Sequence, residues 1–128
     1  MKIYQGVDIV EISKLKKVFT HSKDFAKDIF TEKERAYCLS KKDPFPHFAA
    51  RFAAKEAGLK ALGMGMSGTG IDNSFQEIEI VRSKSGKPEL FLSGWTGNIS
   101  RKKNINQLTV SLSHSAEYAV ATVIMTGN

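Results

Sequence analysis

Two carboxylates in this chain sit where an ordinary soluble protein has little use for them. Asp8 lies inside the strand-like run Gly6-Val7-Asp8-Ile9, and Glu56 lies in the helical run Arg51-Phe52-Ala53-Ala54-Lys55-Glu56-Ala57. If the two converge, they offer hard oxygen ligands with few other protein ligands. That donor set suits Mg²⁺, which keeps waters and takes its remaining positions from substrate phosphates. The competing reading is that each carboxylate simply pairs with a Lys or Arg. Arg51, Lys55 and Lys60 lie on the same helix and could line a phosphate cleft, with Lys acting as a point charge and Arg as a bidentate fork. They could equally form structural ion pairs, such as Lys60 with Glu56 at i, i+4.

A second polar group, Ser111, Ser113, His114 and Ser115, ends a strand. Neighbouring side chains on a strand point to opposite faces, which disfavours a serine hydrolase and leaves two readings, ligand anchoring or a polar strand end that caps the sheet. The run from Gly63 to Gly70 is glycine-rich but lacks the Lys-Ser or Lys-Thr ending of a P-loop and follows no strand. Its glycines could let backbone approach a ligand, but such a loop is more often only a flexible connector. Lys14, Lys16 and Lys17, with Arg101, Lys102 and Lys103, are short basic runs without the interleaved aromatics of a nucleic-acid groove.

These groups need elements to position them. The central one is a long helix, expected at about 46–63 behind Pro44 and Pro46. On a 3.6-residue period Phe48, Phe52, Leu59 and Leu62 form an apolar stripe with Lys55 inside it, and Ala50, Ala54, Ala57 and Ala61 form a smooth row on the far side. The helix is therefore enclosed. Charges there cost several kcal/mol each unless they are paired or face a wet cleft, a metal or an ionic ligand.

Around it the sequence predicts a strand at 3–10 with Ile3, Val7, Ile9 and Val10 as apolar members, then a short basic helix. Ser22 and Thr31 are expected to cap two further helices, the second through a Thr31–Glu34 capping box. Strands are expected from Phe75 to Val81 and Glu89 to Leu92 about the turn Lys84-Ser85-Gly86-Lys87-Pro88. A short helix over 93–103 and strands at 108–113 and 118–125 complete the chain. Helices early and antiparallel strands late give an α+β fold, expected as one domain over 1–128.

Nineteen Lys and Arg against thirteen Asp and Glu give a net charge of +6. That favours an anionic partner: nucleic acid, a phosphorylated small molecule or an acidic protein. Cys38 is the only cysteine, which excludes an internal disulfide and a cysteine-rich zinc site. No apolar run reaches membrane-spanning length and no signal segment precedes the first strand, so a cytoplasmic home without membrane partners is expected.

Taken together, Gly6-Val7-Asp8-Ile9, Phe30-Thr31-Glu32-Lys33-Glu34, Arg51 to Ala57, Gly86-Lys87-Pro88 and Ser111 to Ala119 resemble the small bacterial-type branch of the 4′-phosphopantetheinyl transferases. These are the holo-[acyl-carrier-protein] synthases. The resemblance spans residues 6 to 119 in the family's order. It implies that family's fold, an antiparallel sheet with a long helix packed against it, and Mg²⁺-dependent transfer of phosphopantetheine from coenzyme A to a serine of an acidic apo acyl carrier protein, with release of 3′,5′-ADP, in the service of fatty acid biosynthesis.

The resemblance also implies site residues. Asp8 and Glu56 match metal-binding, catalytic carboxylates, and Lys60 matches a catalytic, phosphate-contacting lysine. Arg51, Gly63, Gly86, Lys87, Pro88, His114 and Ser115 match coenzyme-binding positions. Lys14 stands where the family often has Arg, which changes a bidentate fork to a point charge on the carrier-docking helix. Members are typically homotrimers with active sites between subunits. A non-catalytic basic module binding nucleotides or nucleic acid is the alternative that charge and the glycine loop leave; no nucleic-acid partner is expected.

Overall fold

The computed structural model describes residues 1–64 and 71–128; from residue 65 to 70 the glycine-rich loop lies outside the described residues. The order is β1 (Lys2–Glu11), α1 (Ile12–His21), α2 (Phe25–Ile29), α3 (Glu32–Leu39), α4 (Phe45–Ala61), α5 (Ile71–Glu77), β2 (Ile78–Arg82), β3 (Pro88–Leu92), α6 (Gly94–Lys102), β4 (Ile105–His114) and β5 (Tyr118–Gly127). β1, β5 and β4 form an antiparallel sheet with β5 in the middle, while β2 and β3 form a separate hairpin. The α+β reading holds.

α4 lies across the three-stranded sheet, touching β5, β1 and β4. β5 meets it with Ala119, Ala121, Val123 and Met125, all buried, and α4 answers with Ala53, Ala54 and Ala57. Small residues on both sides let backbone approach backbone. The closest approach is at Gly6 of β1, where a Cβ would penetrate the Ala57 carbonyl oxygen and sit 2.8 Å from its carbon. Only glycine fits there.

A second core cluster is rich in aromatic rings. Phe19, Phe30 and Phe48 pack against one another with ring centroids 4.9 to 6.2 Å apart, tying α1 and the α2–α3 junction to the start of α4. β1 turns its even-numbered residues to α4, leaving Ile3, Val7 and Ile9 outward at 67%, 53% and 64% exposure. Those apolar members of the predicted strand thus line an open sheet face rather than the core.

Three local expectations change. Ser22 closes α1, its N–H donating to the Val18 carbonyl, and α2 starts later behind Asp24. Phe75 belongs to α5, where its ring stacks on Phe52 at 5.6 Å, so the strand expected from Phe75 begins at Ile78. α4 runs from 45 to 61 rather than 46 to 63, ending before Gly63 at φ +81°. The Thr31–Glu34 capping box is present in both directions.

Gly6→Ala should cost about 1–3 kcal/mol, the usual effect of forcing an extra carbon into a packed interface. Urea unfolding would read this as a lower midpoint at unchanged slope; an unchanged midpoint would show that β1 and α4 are free to separate.

Candidate active site

Asp8 leaves β1 on the face turned to α4, one inward position beyond Gly6. The close approach that Gly6 permits therefore brings the Asp8 carboxylate to the side of α4 that carries Glu56 and Lys60. Lys60 Nζ donates to Asp8 Oδ1 at 2.9 Å and to the Val7 carbonyl at 3.1 Å. Lys60 thus pairs with Asp8 across the seam rather than with Glu56 one helical turn away. Asp8 Oδ2 is buried, and among the described residues no N–H or hydroxyl donates to it.

Glu56 completes the group. Burial first, then a hydrogen bond to Asp8 and the Asp8 charge, push its carboxyl up to about 8, against the opposing pull of Lys60. Two carboxylates this close cannot both ionise unless a cation joins them. With both carboxyls ionised, a single lysine leaves the set one positive charge short, and burial together with Asp8 makes Glu56 keep its proton instead. A divalent hard cation fits that deficit. Among the described residues no third His, Cys, Asp or Glu joins the pair, so a cation's other positions fall to solvent or a ligand.

Lys55 was a candidate for the same phosphate cleft, and the structure removes it. Its side chain is 0% exposed, its ammonium lies 2.7 Å from Glu34 Oε1, and it donates to the Phe75 and Ile78 carbonyls at 2.6 and 2.7 Å. All three donors are used. Burial lowers the Lys55 pKa while Glu34 opposes the shift. This is a structural ion pair, and no ligand reaches it.

Arg51 faces another way. Five residues before Glu56, it projects about 140° around the helix, where its guanidinium carbon stands 4.1 Å above the Tyr37 ring. Around that ring gather Lys41, at 4.7 Å, and Arg82, whose Nη1 donates to the Tyr37 hydroxyl at 2.5 Å. His47 meets the ring edge at 5.9 Å and packs on His114 at 5.6 Å. Burial, then the charges of His114, Arg51, Lys41 and Arg82, lower the His47 pKa. Tyr37, Lys41, His47 and Arg82 were not anticipated from sequence; the one available signal was His47, one helical turn before Arg51.

The hairpin turn adjoins this cationic group. Gly86 adopts φ +89°, with the Arg82 guanidinium alongside. A cleft of about 460 Å³ runs between Ser83, Lys84, Ser85, Lys87 and Pro88 at the turn and Leu108 to Val110 of β4. Ser115 forms the β4–β5 turn, its hydroxyl accepting from the Glu117 and Tyr118 N–H groups at 3.4 and 3.3 Å. Gly63 ends α4 near Lys103, which lies 5.3 Å over the Tyr4 ring of β1.

The expected site residues therefore fall into two groups. Asp8, Glu56, Lys60 and Gly63 line the β1 flank of α4. Arg51, Gly86, Lys87, Pro88, His114 and Ser115 line the β4 flank. β5 and the body of α4 separate them by two strand spacings, about 10 Å.

The chain as a whole is similar to several known proteins. The family model described as the 4′-phosphopantetheinyl transferase superfamily matches residues 5–123. The holo-[acyl-carrier-protein] synthase of Caldanaerobacter subterraneus subsp. tengcongensis is 41% identical, over 99% of this chain and 97% of that protein. That of Chloroherpeton thalassium is 46% identical over 94% of each. The crystal structure of Helicobacter pylori holo-[acyl-carrier-protein] synthase in complex with coenzyme A matches with a TM-score of 0.80 and 32% identity, covering 95% of this chain and 99% of that one.

Lys55→Met should destabilise the fold by about 3–5 kcal/mol, because it strands the buried Glu34 charge. Urea unfolding checks this; a loss below about 1 kcal/mol would mean that Glu34 is relieved by water or protonation.

Proposed function

This chain belongs to the 4′-phosphopantetheinyl transferase superfamily, in its holo-[acyl-carrier-protein] synthase branch, and from that membership we propose how its two flanks share the reaction. It transfers the 4′-phosphopantetheine group of coenzyme A to a serine of apo acyl carrier protein and releases 3′,5′-ADP. The observation that carries the residue assignment is the Asp8–Glu56 pair, short of positive charge, beside the exposed Lys60.

In the transfer the carrier's serine gives up its hydroxyl proton, which ends on the released nucleotide or in solvent, and its oxygen bonds to the phosphorus on the pantetheine side. The bond from that phosphorus to the bridging pyrophosphate oxygen breaks, and the nucleotide departs with the electron pair. Such a reaction asks mainly for positioning and charge neutralisation. Asp8 and Glu56 would hold Mg²⁺, which when bound supplies charge neutralisation and a fixed template for the pyrophosphate. Lys60, anchored to Asp8 and the Val7 carbonyl, offers its charge to the leaving nucleotide. Arg51, His114 and the Gly86-Lys87-Pro88 turn hold the nucleotide's far end.

One coenzyme A cannot reach both flanks within a chain without crossing α4. A neighbouring copy removes the obstacle by setting its β4 flank against the β1 flank of the first. The open sheet face with Ile3, Val7 and Ile9, continued on β5 by Ile124, offers the apolar surface for such packing. The assembly proposed is the family's homotrimer.

The carrier docks on α1, which follows directly from the strand that holds Asp8 and exposes Lys14, Lys16 and Lys17 to an acidic partner. Product holo carrier protein serves fatty acid biosynthesis, and the proposed compartment is the cytoplasm. No helix among the described residues is long and apolar enough to cross a membrane.

Incubation with coenzyme A, Mg²⁺ and an apo carrier protein should raise the carrier's mass by one phosphopantetheine group, read by intact-protein mass spectrometry. Chelation of divalent ions, Asp8→Ala or Glu56→Ala should each slow transfer on the order of a hundredfold or more. Full turnover in either variant would take that residue out of the site.

A further inference from the structure

The cationic group on the β4 flank is organised around a residue with no assigned role. Arg51 is buried, at 3% exposure, yet its Nε has no hydrogen-bond partner among the described residues. Arg51, Arg82 and Lys41 form no ion pair among the described residues. Three cations thus share one tyrosine ring with no carboxylate in ion-pair reach among the described residues; Arg82 is exposed and Lys41 half-buried, so the cost of an unpaired buried charge falls on Arg51, and an anion at this ring would relieve it.

What holds them is Tyr37. Its ring face lies under the Arg51 guanidinium at 4.1 Å, a geometry that attracts a cation to the π cloud and fixes the plane of the fork. Its hydroxyl accepts from Arg82 Nη1 at 2.5 Å and so fixes the second fork. Burial tends to raise the phenol's pKa, but the Arg82 hydrogen bond and the Arg51, Arg82 and Lys41 charges bring it below its ordinary value. Both ends of the side chain contact guanidinium groups that have no other side-chain hydrogen bond or ion pair among the described residues.

We infer that Tyr37 is a positioning residue: it holds Arg51 and Arg82 as a fixed pair of forks for one phosphate of the donor, and thereby sets preference for donors that carry that phosphate. The inference rests on the reading that this flank binds the nucleotide of coenzyme A. With the pyrophosphate at Asp8 and Glu56, the phosphate left for this flank is the 3′-phosphomonoester. Bidentate contact from two pre-oriented guanidiniums suits such a dianion. A donor without it should gain nothing from Tyr37.

The test is steady-state transfer to apo carrier protein with coenzyme A or 3′-dephospho-coenzyme A as donor, using wild type, Tyr37→Leu, Tyr37→Phe and Arg51→Gln. For Tyr37→Leu, KM for coenzyme A should rise about tenfold, within the span of a lost cation–π contact and its aligned fork. Its kcat should stay close to wild type and its KM for the dephospho donor should not move. Tyr37→Phe, which keeps the ring and loses only the Arg82 hydrogen bond, should recover most of that loss.

A merely structural tyrosine would move both donors alike, or kcat rather than KM; either result overturns the inference, as does an unchanged KM. If Arg51→Gln raises KM for coenzyme A alone while Tyr37→Leu does not, Tyr37 is not the positioning group, though the flank still binds the phosphate. If Arg51→Gln changes neither donor, the reading of the flank fails and the inference fails with it.

Discussion

The buried pair of Glu34 and Lys55 is the constraint on which the rest of this molecule depends. Glu34 Oε1 takes both the Lys55 ammonium and the Thr31 N–H, at 2.7 and 2.8 Å, while Oε2 accepts from the Ile80 N–H at 2.9 Å. Lys55 in turn reaches the last carbonyls of the α5–β2 junction. One carboxylate and one ammonium thereby cap α3, fix the rotation of α4 and anchor the hairpin to both. Buried ion pairs are poor sources of net stability, since desolvation offsets most of the attraction. Their use is in permitting one arrangement: any rotation of α4 or slip of β2 would leave a full charge unpaired in the core.

That arrangement decides where the neighbouring charges go. With Lys55 locked toward Glu34, Glu56 must turn to β1 and meet Asp8, and Arg51 must turn toward Tyr37 and β4. The two flanks then carry opposite deficits. Asp8 and Glu56 lack positive charge, and Arg51, Arg82 and Lys41 lack negative charge. Neither can relieve the other through the body of α4. A ligand that is itself a polyanion and brings a divalent cation supplies both, which is the chemistry of a metal-bound pyrophosphate with a further phosphate at its other end.

Much of this could be read from the chain because its local signals are strong. The Thr31–Glu34 capping box, the Gly86 turn and the strict alternation of β4 each state their structure within a few residues, and the structure agrees. The enclosed helix was visible from its period, as was the demand of its charges for partners. Partner identity was not visible. Glu34 is accounted for locally as a cap, so nothing in sequence links it to a lysine 21 positions on, nor Lys55 to the carbonyls of Phe75 and Ile78. Phe75 looked like a strand residue because aromatics favour strands, until packing on Phe52 made it the end of a helix. Tyr37, Lys41, His47 and Arg82 come from three elements and one loop, so only the fold brings them together. The division of the site by α4 is likewise a property of three dimensions, legible only once β1 and β4 are known to flank β5.

The claim that ties these features together is that each active site joins the Asp8 flank of one copy to the Arg51 flank of the next, and subunit complementation measures it directly. Asp8→Asn and Arg51→Gln, each impaired alone at coenzyme A below KM, would be unfolded, mixed in equal amounts and refolded together. Random assembly in a ring of identical contacts should leave about a quarter of the sites with both flanks intact and restore transfer in that proportion. A mixture no more active than the sum of its separately refolded parts would show that both flanks act within one chain, and would contradict the account.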